Sequence, residues 1–233
     1  MRLSLYKQKT ELIMKKLLLS ALMVLMVAVS VNAQEETKET KEKDYSEWQA
    51  RFRFLGVIPN EHATIEAIGG DVDITTSFIP ELDFSYFFNE NIALELILGT
   101  TRHDVEAIHT AAGDIDLGNV SLLPPTLTLQ YHFTGGKVKP YIGAGVNYTI
   151  FYDVDTPRLI DDVEYDNTMG FAAQFGIDFD LNNSDKWFFN IDLKKLFLKT
   201  DVTVDATTAL GAVVVSDTKI EPWIIGIGFG RRF

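Results

Sequence analysis

The chain has 233 residues, 46% of them hydrophobic, no cysteine and a formal net charge of −12. Without cysteine there is neither a disulfide framework nor zinc-thiolate chemistry, and so acidic a chain suits no nucleic acid, whose phosphates demand a basic surface. Beyond the first 33 residues the apolar residues are interleaved with small and polar ones, which excludes spanning helices and suits the strands of a transmembrane barrel.

Met14-Lys15-Lys16, the apolar run Leu17 to Val29 and the small residues of Val31-Asn32-Ala33 predict a secretory signal peptide over 1–33, with Met14 as a candidate true start. The apolar run is about 13 residues, short against the roughly 20 of a spanning helix. Residues 34–47, mostly Glu, Lys and Thr without apolar periodicity, are expected to be a flexible periplasmic leader. The barrel is expected over 48–233.

Eight segments then alternate with period two. The first, about Trp48 to Ile58, sets Trp48, Ala50, Phe52 and Phe54 against Gln49, Arg51 and Arg53. The second, about Ser77 to Phe88, sets Phe78, Leu82, Phe84, Tyr86 and Phe88 against Glu81, Asp83 and Ser85; a tight turn at Asn89-Glu90-Asn91 leads to the third, Ile92, Leu94, Leu96 and Leu98 against Ala93, Glu95 and Gly99. The fourth, about Val120 to Phe133, opposes Leu127, Leu129, Tyr131 and Phe133 to Thr126, Thr128, Gln130 and His132. The fifth opposes Ile142, Ala144, Val146, Tyr148 and Ile150 to Gly143, Gly145, Asn147 and Thr149. The sixth, about Thr168 to Asp180, opposes Met169, Phe171, Phe175 and Ile177 to Gly170, Gln174, Gly176 and Asp178. The seventh starts at Trp187, with Phe189, Ile191 and Leu193 outward and Asn190, Asp192 and Lys194 inward; Lys194-Lys195 breaks its alternation, which predicts a bulge or the end of the lipid band. The last, Trp223 to Phe233, opposes Trp223, Ile225, Ile227, Phe229 and Phe233 to Gly226, Gly228, Gly230 and Arg232.

The segments Pro59 to Asp73, Arg102 to Gly118, Asp153 to Asn167 and Asp201 to Thr218 are expected to be long extracellular loops, alternating with three short periplasmic turns. An even strand number with both ends periplasmic makes the fold class all-β, an eight-stranded antiparallel up-and-down transmembrane barrel. Tyr86, Phe88, Tyr131, Phe133, Trp187 and Phe233 fall beside the turns or at the chain end, as a periplasmic aromatic girdle would.

The inward charges Arg51, Arg53, Glu81, Asp83, Glu95, Asp192 and Lys194 are of both signs and predict a paired plug in a narrow lumen. Pro124 and Pro125 lack ladder donors, so they mark a candidate lateral opening. Asp153, Asp155, Asp161, Asp162, Glu164 and Asp166 match no calcium-loop spacing and read as a solvated loop. His62, His103, His109 and His132 come with no nucleophile elbow or metal motif, so no catalytic residue, metal or cofactor is expected and the protein is not expected to be an enzyme.

Leu122-Leu-Pro-Pro-Thr-Leu-Thr-Leu-Gln-Tyr-His-Phe133 and Lys139-Pro-Tyr-Ile-Gly-Ala-Gly-Val-Asn-Tyr-Thr-Ile-Phe151 closely resemble the OmpW family of outer-membrane proteins, as do Leu82 to Phe88, Asn91 to Glu95 and the terminal Phe233. The resemblance spans essentially the whole mature chain. It implies a narrow barrel whose largely apolar lumen admits small hydrophobic molecules and releases them sideways into the membrane. The expected location is the outer membrane. Expected partners are membrane lipid and lipopolysaccharide, a small hydrophobic ligand and the barrel-assembly machinery acting on the C-terminal strand, with no nucleic acid. The rival reading is a non-conducting structural barrel whose extracellular loops bind partners.

Overall fold

The computed structural model describes residues 45–63, 69–111, 113–158, 160–181 and 186–233. The expected signal peptide and residues 34–44 of the leader lie outside them. Among the described residues the strands are β1 (Trp48–Ile58), β2 (Glu61–Ala63), β3 (Asp71–Ile74), β4 (Ser77–Phe87), β5 (Ile92–Leu98), β6 (Thr101–Thr110), β7 (Gly113–Leu123), β8 (Thr126–His132), β9 (Val138–Asp155), β10 (Asp162–Tyr165), β11 (Thr168–Leu181), β12 (Trp187–Ala206), β13 (Ala212–Ile220) and β14 (Trp223–Arg232).

Eight of them close a ring in the order β1, β4, β5, β8, β9, β11, β12, β14, every pair antiparallel. Closure comes from β14 meeting β1, from Gln49↔Arg232 to Ile58↔Trp223. With no open edge inside the band, every backbone N–H and C=O of this pair can be satisfied sideways, the condition hydrocarbon imposes. The closing strand shows why the residues alternate: Ile225, Ile227 and Phe229 are about half exposed on the outside, while Gly226, Gly228 and Gly230 are buried inside.

Taken together, most of the described residues in the four expected loops are instead in strands, which corrects the sequence reading. β2, β3, β6, β10, β13 and the first part of β7 extend the wall beyond the band, pairing with the upper parts of β9 and β12 or with each other. β12 alone has 20 residues. At about 3.3 Å per residue and a tilt of about 40° it rises about 50 Å, twice the roughly 25 Å apolar band. The inward residues Val72, Val105, Val120, Val163, Val202 and Val214 explain the extension: they form one apolar core with Leu55, Leu196 and Ile224. Their outward neighbours are mostly acidic or hydroxylic, and that polarity hides the strands in the sequence.

Two further expectations change. The fourth predicted strand is split by Pro124-Pro125 into β7 and β8. No bulge occurs at Lys194-Lys195: the β12–β14 ladder runs unbroken to Lys195↔Trp223, and Leu198↔Ile220 carries β12 onward against β13. Lys195 turns outward and holds its ammonium 4.9 Å from the Trp223 ring centre while donating to the Glu221 carbonyl, so it reaches from the apolar band to its outer edge.

At the opposite end the aromatics form a belt. Trp48 and Tyr86 lie 5.0 Å apart, Tyr86 and Phe88 5.3 Å, and Tyr131 and Phe133 5.1 Å, while Arg231 lies over both Trp187 and Phe233. Phe233 N–H donates to Trp48 C=O, which fastens the last residue to the first strand.

Candidate functional site

The lumen has two layers, and on three strands the inward row changes from polar to apolar at one height. On β1 the row is Gln49, Arg51, Arg53, then Leu55 and Val57; on β12 it is Asn190, Asp192, Lys194, then Leu196 and Leu198; on β5 it is Glu95, then Ile97. Strand register brings these changes level, as Arg53 stands across from Glu81 on one side and Gly228 on the other.

In the lower layer six of the seven charges are closely paired, and Lys194 stands 3.9 Å from Asp192. Arg51 Nη1 lies 2.6 Å from Glu95 and 3.2 Å from Asp83, and Arg53 Nη2 lies 2.7 Å from Glu81 and 3.0 Å from Asp83, with Asp192 3.3 Å from its Nη1. All seven predicted charges are buried. Neutral residues complete the network. Glu95 also accepts from Thr128 and Gln174, both at 3.0 Å, and Asp192 accepts from Tyr141 at 2.7 Å and Gln174 at 2.8 Å. A second set seals the periplasmic mouth, where Arg232 pairs with Asp178 at 3.1 Å and Asp180 at 2.6 Å, and Lys139 pairs with Asp180 at 2.6 Å.

Sequence reading left Tyr141, Asn190, Arg232 and Phe188 out of the plug. Period two alone places Tyr141 and Phe188 inward, and glycines face them: Gly176 pairs with Tyr141 and Gly230 with Phe188. A Cβ on either glycine would stand inside the opposing ring, so the bare backbone is what lets each ring lie flat across the lumen.

Above the charges is an apolar cavity of about 80 Å³, floored by Lys194 and Glu81 and walled by residues such as Leu55, Ile97, Phe151 and Leu196. A second lobe of about 60 Å³ continues it toward the extracellular end, the two sharing Ile74, Val105, Tyr165 and Ile220.

The cavity meets the wall where pairing is interrupted. β5 pairs with β8 up to Ile97↔Thr126, and β6 takes over with β7 at Thr101↔Leu122 in the same register, so Pro124 stands across from Gly99 without an N–H to donate. On the other flank β4 pairs with β5 only up to Leu82↔Leu98. Extending that register sets Pro80, also without a donor, across from Thr100. The next bond across this seam is Thr75 N to Asp104 O at 3.1 Å. The join between β5 and β6 thus lacks ladder donors from both neighbours, and Ile79, Gly99 and Pro124 beside it all line the cavity. Pro80 was not singled out in the sequence; its position within an alternating strand was the available sign. Pro125 faces the other way, its C=O accepting from Tyr148 N at 3.0 Å.

Of the remaining candidates, His132 lies inside the lumen with its ring 4.8 Å from that of Tyr141, and others lie in the extension. His103 donates from Nδ1 to the Thr75 carbonyl and meets Thr101 Oγ1 at 2.7 Å through Nε2. Burial lowers its pKa below the usual 6.5. Asp153 and Asp155 lie 2.8 and 2.6 Å from the Arg102 guanidinium, whose pKa their hydrogen bonds raise, and Asp161 accepts from Thr208 N, which lowers its own.

The sequence profile of the OmpW family matches residues 45–233. An uncharacterized outer-membrane protein, y4mB, of Sinorhizobium fredii is 45% identical over 81% of this chain and 80% of its own length. The dibenzothiophene metabolism operon protein PahQ of Pseudomonas aeruginosa is 34% identical, over 71% of this chain and 76% of its own. Among solved structures, the outer-membrane protein OprG of Pseudomonas aeruginosa superposes with a TM-score of 0.74 at 26% identity, covering 82% of this chain and 97% of OprG. Matched from the first described strand to its last residue, and folded as an eight-stranded barrel, this chain belongs to the OmpW family and is an outer-membrane protein.

Proposed function

We infer that this barrel takes small apolar molecules from the extracellular side into its upper cavity and releases them sideways into the membrane, while its lower half stays closed to ions. The observation that carries this reading is the coincidence of the apolar cavity with the one wall segment flanked by Pro80 and Pro124, directly above a layer of paired charge. A molecule in the cavity meets buried ion pairs below it and unpaired backbone beside it. Moving apolar surface past the former means desolvating charge, whereas the latter borders lipid. The name of the dibenzothiophene metabolism operon relative supports an apolar cargo. Liposomes holding the refolded protein test the reading, with uptake of a small apolar fluorophore compared with that of a small ion. Wild type is expected to pass the fluorophore and exclude the ion, and Glu95→Ala and Arg53→Ala to leak ions. Ion conduction by the wild type, or no fluorophore uptake above empty liposomes, would sink it.

A further inference from the structure

The cavity wall is mainly apolar, with Thr101, His103, Thr126 and Thr149 among its polar members, and the floor holds an incomplete polar site. Of the two charged residues that line it, Glu81 is engaged: Arg53 reaches its Oε1 from Nε at 3.0 Å and from Nη2 at 2.7 Å. Asp192, one step below, accepts from Tyr141 and Gln174 at Oδ2, and its Oδ1 stands 3.3 Å from Arg53 Nη1. Lys194 is not engaged in this way. Its side chain is 2% exposed, and its nearest carboxylate among the described residues is Asp192 Oδ1 at 3.9 Å, beyond hydrogen-bond reach. An ammonium carries three donors, and leaving them without acceptors in a buried site is costly. The geometry fixes where an acceptor would come from. Lys194 is the last charged residue of its inward row, with Leu196 and Leu198 directly above it on the cavity wall. An acceptor carried by an apolar molecule would reach the Lys194 ammonium from the cavity side.

We propose that Lys194 is the head-group receptor of this cavity, and that the preferred cargo is an apolar monocarboxylate, its carboxylate on the Lys194 ammonium and its hydrocarbon body between Leu55, Ile97, Leu196 and Phe151. The proposal rests on the conduit reading and specifies its substrate class. A carboxylate supplies charge-assisted hydrogen bonds that a hydrocarbon cannot. The neighbouring lobes, about 80 and 60 Å³, share the wall residues Ile74, Val105, Tyr165 and Ile220, so a hydrocarbon body headed by Lys194 would point toward the second.

The test uses the full barrel in phospholipid nanodiscs loaded with a neutral apolar fluorophore, displaced by decanoate or by methyl decanoate, which has the same chain without the charge. In Lys194→Met decanoate is expected to bind about tenfold more weakly than in wild type, roughly the value of one charge-assisted hydrogen bond, with methyl decanoate changed less than about twofold. Lys194→Arg, which keeps the cation, is expected to restore decanoate. Equal decanoate affinity in wild type and Lys194→Met, with methyl decanoate still binding, overturns the proposal and leaves the conduit reading standing. Loss of both ligands in Lys194→Met without recovery in Lys194→Arg also overturns it. If neither ligand displaces the fluorophore from the wild type, the conduit reading fails and takes the proposal with it.

Discussion

Arg53 stands within 3.3 Å of three carboxylates, Glu81, Asp83 and Asp192, and its side chain is fully buried. Removing it leaves acids facing one another where no water competes, so the loss exceeds that of an exposed pair. Arg53→Ala is expected to lower stability by about 3–5 kcal/mol, read as a lower urea midpoint for the refolded barrel in detergent. A midpoint equal to wild type would mean that the carboxylates find other partners. The signs of these residues and their inward parity were visible in the sequence, because period two sends Arg51, Arg53, Glu95 and Asp192 to the same face. Which arginine meets which acid was not visible. Glu95 and Gln174 are 79 positions apart and Arg51 and Glu95 are 44 apart, and only barrel closure brings them together.

Among the elements, the interrupted hairpin around Gly99 and Pro124 decides whether the wall can part. A paired strand would resist opening by the sum of its ladder bonds, each contributing about 1 kcal/mol. Here Pro80 and Pro124 withhold donors from the two sides of one short stretch. Pro80→Val with Pro124→Val supplies both donors. The double variant is expected to slow liposome uptake of the apolar fluorophore severalfold without lowering thermal stability, and unchanged uptake would place the exit elsewhere. The extension holds a pH-sensitive element in His103. Its folded-state pKa lies below the unfolded value of 6.5, so the stabilisation it gives is present above about pH 6.5 and is lost as pH falls below it. The neutral ring donates to Thr75 and accepts from Thr101, whereas the charged ring can only donate. Amide protection in β3 and β6 is expected to drop between pH 7 and 5.5 relative to a His103→Gln reference. Equal profiles for the two proteins would remove His103 from the explanation.

Across the whole molecule, β9 and β12 run without a break from the periplasmic rim through the band into the extension. Cutting cooperativity between barrel and extension would mean ending the ladder in the middle of a strand. Unfolding in detergent is therefore expected to give one coincident transition by tryptophan fluorescence and far-ultraviolet circular dichroism. Two separated midpoints would show that the extension melts alone.

The sequence by itself determined the eight strands of the ring and which face of each points outward. Both follow from local alternation, which a strand writes into every second residue. The tertiary structure decided three other things: that the supposed loops are strands closed over an apolar core, that the charges are sealed by Tyr141, Asn190 and Arg232, and that Pro80 joins Pro124 at one seam. Each depends on which residues meet across the ladder. That register is set only when the sheet closes, because closure alone fixes how far each strand is staggered against the next.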